Sequence, residues 1–501
     1  MLLMGDMRVL FVRPPRYMWP MNSESSSFWQ PLGFASMAAV LRENDFDVSI
    51  LDCLPLKIGW KSLRQELERI KPDVICVGDE AASAYEAIKL IKLAKEIDSS
   101  VITIAGGYYF SNMIEDTFKK YSFDYIVKGE GEYSLLELLQ NIDVDKSKVK
   151  GIAYLKNNNI HINQDRLLLT NLDELPLPAY DLLPMELYGS KSTNHKDFSA
   201  IEHGRGCSGG CNFCSIWPHM SSKGKPCYRT KSADRCFEET ELLIRKYKRK
   251  TLNWADGTWN LDSNWTKEYC SLLIDNNINI NHTTWMRADC IVRDEKIGVM
   301  KKAADAGLVQ TVIGVERFDD KDFSYLGKKN SSFALQQKAF KILKKYPRVY
   351  SIASFIYGLP TDDKKSLKRL NKVIHSTFAD MVFILPYTPY PGTELWNEYK
   401  NRLEVTDLRK YNLHLPVLST NHLSKAQLDK WFKRTLVDYV LLRPGNLIKR
   451  VVLEKDKRKK RIQISLAKKI FKMGTQHVLN KITFQKGHEL EYGIKPRWYD
   501  A

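Results

Sequence analysis

Short apolar runs alternate with longer amphipathic stretches from the start of the chain. Val9–Val12 ends at Arg13-Pro14-Pro15; Val48–Leu51, Asp73–Val77, Val101–Ala105 and Tyr125–Val127 follow. Between them Leu32–Leu41, Leu63–Ile70 and Ala84–Ile97 carry helical patterns. Brief Val/Ile-rich strands separated by helices predict an α/β fold with a parallel, doubly wound, Rossmann-like sheet. Ligands of such sheets bind at the carboxyl ends of the strands. Those ends carry Pro15, Asp79-Glu80, Gly106-Gly107 and Gly129-Glu130-Gly131. Glycine there permits close backbone approach to a ligand, and serves equally in a plain tight turn.

A hairpin pattern over Gly151–Ile162, turning at Asn157-Asn158-Asn159, and a proline-punctuated stretch over Leu172–Pro184 interrupt the alternation. A second α/β repeat then begins. Its strand candidates are Ser199–His203, Thr251–Trp254, Thr283–Arg287, Thr311–Val315, Ile352–Tyr357 and Met381–Leu385. Helical patterns lie between them over Ala233–Tyr247, Trp265–Asp275, Glu295–Ala306, Phe333–Lys345 and Lys364–Ser376. Six such repeats predict an open, partial (β/α)6 barrel, whose post-strand loops carry the chemistry. The expected organisation is a Rossmann-like domain over 1–145, a hairpin and linker over 146–196, the barrel over 197–400, and a basic, mainly helical region over 401–501.

Composition narrows the class. A chain of 501 residues exceeds one ordinary core, and 44% hydrophobic with 27% charged residues describes a globular protein. Nine cysteines without a secretory pattern lead us to expect a reducing cytoplasm. No apolar run reaches the roughly 18 residues of a membrane span. Charge is uneven: from Asn401 onward 23 Lys/Arg face 9 Asp/Glu, so +14 of the chain's +18 lies there. Lys455–Arg461 is the densest patch, and apolar residues interleave with lysines after it. Such a segment is a solvated helix face, a peripheral contact with an anionic membrane, or, least expected here, a grip on nucleic acid.

The strongest chemical signal is Cys207-Ser-Gly-Gly-Cys211-Asn-Phe-Cys214, directly after the barrel's first strand. Three soft thiolates on one loop suit three corners of a [4Fe–4S] cube and leave the fourth iron open. Structural zinc wants a fourth ligand, usually from a second short-spaced pair; Cys227 and Cys236 are not so spaced, although His203 and His219 keep that reading open. A redox dithiol would leave one cysteine unexplained.

This spacing, led by Glu202-His203-Gly204-Arg205-Gly206, resembles the radical S-adenosylmethionine (SAM) superfamily. The resemblance implies that Cys207, Cys211 and Cys214 ligate the cluster and that SAM chelates the open iron. It also implies a SAM pocket from Phe213, Asp256, Gly257, Arg287, Glu316, Ile356 and Gly358, residues at or near successive strand ends. Taken from the residues alone, acceptors for an amine and ribose, a cation for a carboxylate, and backbone or aromatic contacts for adenine are the set SAM requires. Singly, each is equally an ordinary cap or ion pair.

A doubly wound domain before the SAM domain resembles the cobalamin-binding radical SAM enzymes. Thr388–Thr393 and Tyr228–Ser232 look like the branch that holds the anaerobic magnesium-protoporphyrin monoester cyclase and the hopanoid and other lipid methylases. The resemblance spans residues 8–400 and is looser in the first domain. It implies cobalamin at Pro15, Asp79, Glu80, Gly106, Gly107, Gly129, Glu130 and Gly131, although Gly106-Gly107-Tyr108-Tyr109 departs from the Gly-Gly-Pro-His of the branch. No Asp-x-His-x-x-Gly appears, so no histidine is expected below the cobalt. The implied activity is reductive SAM cleavage to a 5′-deoxyadenosyl radical that activates an unactivated carbon, with cobalamin for C-methylation. It would draw on an external one-electron donor of flavodoxin or ferredoxin type and act on a small-molecule, lipid or porphyrin-like substrate. Alternatives are a cyclase or oxidase without methyl transfer, an RNA-modifying radical SAM enzyme, and an Fe–S redox scaffold. The RNA-modifying family would carry a second cysteine triplet in its first domain, where only Cys53 and Cys76 occur. Tyr108, Tyr109, Trp254, Trp259, Trp285, Tyr387 and Tyr390 are candidate walls of an apolar substrate pocket, or plain core.

Overall fold

The computed structural model describes residues 7–16, 29–78, 83–189, 197–220, 227–440, parts of 456–464, and 498–501. In the first domain, β1 (Arg8–Arg13), β2 (Asp47–Asp52), β3 (Val74–Gly78), β4 (Ile102–Gly106) and β5 (Tyr125–Val127) form a parallel sheet. The order is β2-β1-β3-β4-β5, continued by β6 (Ile152–Lys156) and β7 (Asn159–Ile162). The last two pair antiparallel. The hairpin therefore extends the first sheet instead of standing between domains. Asn157 and Asn158 both take positive φ, the conformation its two-residue turn demands.

The second domain holds six parallel strands: β8 (Phe198–Ile201), β11 (Thr251–Trp254), β12 (Asn281–Met286), β13 (Leu308–Glu316), β14 (Tyr350–Tyr357) and β15 (Met381–Pro386). They pair in that order, which leaves the barrel open between β8 and β15. Every residue of β14 is buried, as a central strand covered on both faces requires. A short antiparallel pair, β9 (Gly204–Gly206) with β10 (Tyr228–Thr230), flanks the cysteine loop.

The helix Lys364–Ser376 matches its predicted bounds because Asp363 and Ser366 form a reciprocal capping box and Leu367, Leu370 and Ile374 supply the buried stripe. The helix predicted over 295–306 instead divides at Gly298, whose φ of +78° breaks it into Ala288–Lys296 and Val299–Asp305. One apolar cluster spans both domains, running from Leu10, Ile75 and Phe110 to Ile356, Leu359 and Tyr387. Beyond it the helix Lys425–Val440 packs on the end of β14, with the Tyr357 and Phe432 rings 5.4 Å apart.

Candidate functional site

The cysteine loop is held from three sides. At its base, Cys207 N donates to Cys227 O at 2.9 Å. Gly206 makes the approach possible: its φ is +84°, and a Cβ would lie 2.1 Å from Cys227 O. At its tip, Asn212 N donates to Leu326 O at 3.2 Å, and the Asn212 side-chain amide donates to Tyr325 O. Gly327, at φ +62°, passes so close that a Cβ would meet Gly210 O at 3.1 Å. On the third side, Leu395 N donates to Asn212 O at 3.4 Å.

Cys207, Cys211 and Cys214 are half-buried, whereas Cys53, Cys76, Cys236, Cys270 and Cys290 are buried. Gly209 N donates to Cys207 Sγ at 3.3 Å. Burial pushes the Cys211 thiol up, and the nearby Lys328 charge opposes that shift. Backbone-supported thiols at the mouth of a barrel fit the thiolate donors of an iron–sulfur cluster. Among the described residues no three His, Cys, Asp or Glu side chains converge as for a single metal ion. A cube, which holds its thiolates at separate corners, asks for no such convergence.

The strand ends around this loop present a mixed set. Glu316 ends β13 at a register shift with φ +64°, and its Oε1 accepts from Lys328 Nζ at 3.0 Å. Arg287, after β12, forks onto Asp289 at 3.0 and 2.7 Å. Its Nη1 lies 3.6 Å from where a Cβ on Gly209 would stand, beside Cys207. Phe213 packs against the apolar cluster that includes Ile356. These groups share the mouth of the barrel. Three other expected SAM residues are engaged by the chain itself. Asp256 Oδ1 accepts from His203 N and Gly204 N at 2.9 and 2.7 Å, and its Oδ2 stands 2.8 Å from His203 Nδ1. Asp256 therefore shapes the strand-to-loop turn. Gly257 faces Ile216 and the Gly206 carbonyl, and Gly358, at φ +81°, lies under Leu428. Lys328 carried no motif of its own; its neighbour Gly327 and its place twelve positions after Glu316 were the only signals in the sequence.

At the carboxyl edge of the first sheet, Pro15 is buried, and Gly106-Gly107 leads into the helix Gly107–Asn112. Gly129 has a positive φ and open space where a Cβ would be, the kind of cradle that admits a large ligand to the backbone. Gly131 instead abuts Met37, and Asp79 and Glu80 lie outside the described residues. Glu130, expected to face cobalamin, is spent on Arg229 and Arg205 of the second domain, at 2.9 and 3.3 Å. His219, just beyond the cysteine loop, lies over Tyr108 with ring centroids 4.3 Å apart. Burial lowers this imidazole to about 4 and leaves it neutral at pH 7. No spacing along the chain pairs these two rings, which lie on opposite sides of the domain boundary.

The candidate aromatic wall divides in two. Trp254 and Trp259 are core, packed with Trp265, Tyr269 and His282, and Tyr109 and Tyr387 are buried as well. Tyr108 and Tyr390 are half-buried, and Trp285 is exposed.

Two family models match the chain: a B12 binding domain over residues 18–139 and the radical SAM superfamily over residues 201–374. Similar proteins include the uncharacterised methyltransferase PH0819 of Pyrococcus horikoshii, 28% identical over 89% of this chain and 95% of the relative. The anaerobic magnesium-protoporphyrin IX monomethyl ester cyclase of Rubrivivax gelatinosus is 25% identical over 93% of this chain and 83% of its own. Among solved structures, the radical SAM methyltransferase TsrM of Kitasatospora setae, with cobalamin and a [4Fe–4S] cluster bound, shares the fold at a TM-score of 0.65. That match has 16% identity and covers 85% of both chains. Fold and site thus define a radical SAM enzyme, whose cofactors are a [4Fe–4S] cluster and SAM. The chain thus carries a B12-binding domain ahead of its radical SAM domain, and cobalamin is its third cofactor.

Proposed function

We propose that this enzyme C-methylates an unactivated carbon of a lipid or porphyrin-like substrate. The observation that carries this reading is the cysteine loop, strapped at the barrel mouth and joined to the cofactor edge of the B12-binding domain. When bound, the cluster and SAM supply a radical that takes hydrogen from such a carbon, and methylcobalamin supplies the methyl group that replaces it. The protein orients these groups and excludes water.

In this reading Cys207, Cys211 and Cys214 hold three irons. Lys328 and the free side of the Arg287 fork offer cations to the SAM carboxylate, and Glu316 accepts from its amine or ribose. Phe213 and the backbone at Ile356 flank adenine. Asp256 and Gly358 support this pocket from behind, Asp256 by fixing the turn into the loop and Gly358 by accepting the cover of Leu428. Gly106, Gly107 and Gly129 line the cobalamin edge, where Tyr108 and His219 form an aromatic ledge. Electrons come from an external one-electron donor. A porphyrin-like substrate finds support in the name of the Rubrivivax relative; the same likeness favours, as a second reading, ring closure without methyl transfer.

Iron analysis tests the ligand assignment. Replacing Cys207, Cys211 and Cys214 together with Ala should abolish reconstituted iron and the broad cluster absorbance, while Cys227 and Cys236 variants keep both. Full iron in the triple variant would refute it.

A further inference from the structure

Glu130 and Glu132 sit on the cofactor edge of the first domain, yet their carboxylates turn to the second. Glu130 accepts from Arg229 Nη2 at 2.9 Å, from Arg205 Nη1 at 3.3 Å and from Leu169 N at 3.1 Å. Glu132 Oε1 accepts from Arg205 Nη2 at 2.7 Å and from Ser36 Oγ at 2.8 Å. The four charged side chains are each no more than 10% exposed. Arg205 and Arg229 are directly opposite in the β9–β10 pair. Glu202 adds a third carboxylate at 2.8 Å from Arg205 Nε. Burial works against the charge of Glu132, but Arg205 outweighs it and holds this carboxyl below the usual range.

Such a network adds little stability over apolar packing, because desolvation offsets most of its attraction; its better-attested use is to fix one register. Here the register is between two cofactor loops. Arg205 stands two residues before Cys207, and Glu130 directly follows the open Gly129. A shift of the 129–131 loop therefore pulls on the strand that leads into the cluster loop.

We propose that Glu130, Glu132, Arg205 and Arg229 form a positioning clamp that couples occupancy of the cobalamin edge to the geometry of the cluster loop. The proposal rests on the reading that the first domain binds cobalamin and Cys207, Cys211 and Cys214 the cluster. Coupling of this kind is reciprocal: whatever the cluster does to cobalamin affinity, cobalamin does to the cluster.

The test is hydroxocobalamin affinity of the full chain, with the cluster reconstituted and after its removal by an iron chelator. In the unaltered protein the two affinities should differ about fivefold or more, the range of a typical coupling. Glu130→Gln should bring that ratio close to one while still binding both cofactors. Should that variant fail to fold, Arg229→Lys, which keeps the charge and loses the fork, should lower the ratio as well. Glu202→Gln, which leaves the interdomain pairs intact, should preserve it. Bound hydroxocobalamin with a ratio of one in the unaltered protein, or a ratio that survives in both clamp variants, overturns the clamp alone. Undetectable hydroxocobalamin binding in the unaltered protein overturns the cobalamin reading and the clamp with it.

Discussion

Lys328 matters because of what surrounds it. Its ammonium is held by Gly314 O at 2.5 Å and Glu316 Oε1 at 3.0 Å, and Gly327 brings its backbone against the cysteine loop. Losing a charge-assisted hydrogen bond costs about 1.5–3 kcal/mol, or roughly ten- to a hundredfold in affinity. Lys328→Gln should weaken SAM binding by about that factor with cluster iron unchanged, and Lys328→Arg should restore most of it; isothermal titration giving equal affinities would remove Lys328 from the pocket. Arg317, one position after Glu316, is structural. It is buried, with Asp322 at 2.8 Å and Asp362 at 2.6 Å, and it donates to Ile356 O at 3.2 Å. Removing one partner of a buried pair strands the other charges, so Arg317→Met should lower stability by about 3–5 kcal/mol in denaturant unfolding. A loss below about 1 kcal/mol would show that water takes over its role.

Elements were legible in the sequence wherever one local signal dominated. The six barrel strands emerged from apolar runs, and the helix Lys364–Ser376 from its helical pattern. The break at Gly298 was missed because apolar periodicity continues through it, and only backbone conformation divides the helix. The cysteine loop was legible because its spacing is local. Lys328, the Tyr108–His219 contact and the Glu–Arg clamp were not, because each joins elements far apart in the chain. Asp256 stood at the expected strand end, but the amides of His203 and Gly204 lay across a fold that no spacing reveals. One pH prediction belongs to the packing of β11 on β12. Trp254 Nε1 donates to His282 Nδ1 at 3.1 Å, and burial lowers this imidazole to about 4. The unfolded chain takes up that proton near pH 6.5 and the folded chain does not until about pH 4, so stability is full above 6.5 and falls as pH drops through that window. The contribution is on the order of 3 kcal/mol, and His282→Asn should flatten the slope of unfolding free energy between pH 6.5 and 4. An unchanged slope would mean the imidazole is already charged in the folded protein.

On the scale of the whole molecule, the 129–131 loop of the first domain and the strand that leads into the cysteine loop meet at one interface. Among the described residues no helix is long and apolar enough to cross a membrane. Of the patch, Lys455 and Arg458 lie outside the described residues; Lys457 and Arg461 are exposed, and Lys459 is buried 3.5 Å from Asp380. Asp380 precedes β15, so this contact sits at the amino edge of the barrel, opposite the cysteine loop. An anionic surface would thus meet the back of the barrel. Each exposed cation near it contributes on the order of 1 kcal/mol. Sedimentation with anionic vesicles should be released by salt and weakened by neutralising Lys457 and Arg461; equal partitioning of both proteins would make the patch a solvated helix face. The central claim is that this chain cleaves SAM reductively at the Cys207–Cys214 loop. Its most direct measurement is 5′-deoxyadenosine formed anaerobically by the reconstituted protein with SAM and a one-electron reductant. The account predicts 5′-deoxyadenosine and methionine in equal amounts, absent from the Cys207, Cys211 and Cys214 triple Ala variant. No 5′-deoxyadenosine from a fully reconstituted cluster, or an equal yield from the triple variant, would contradict it.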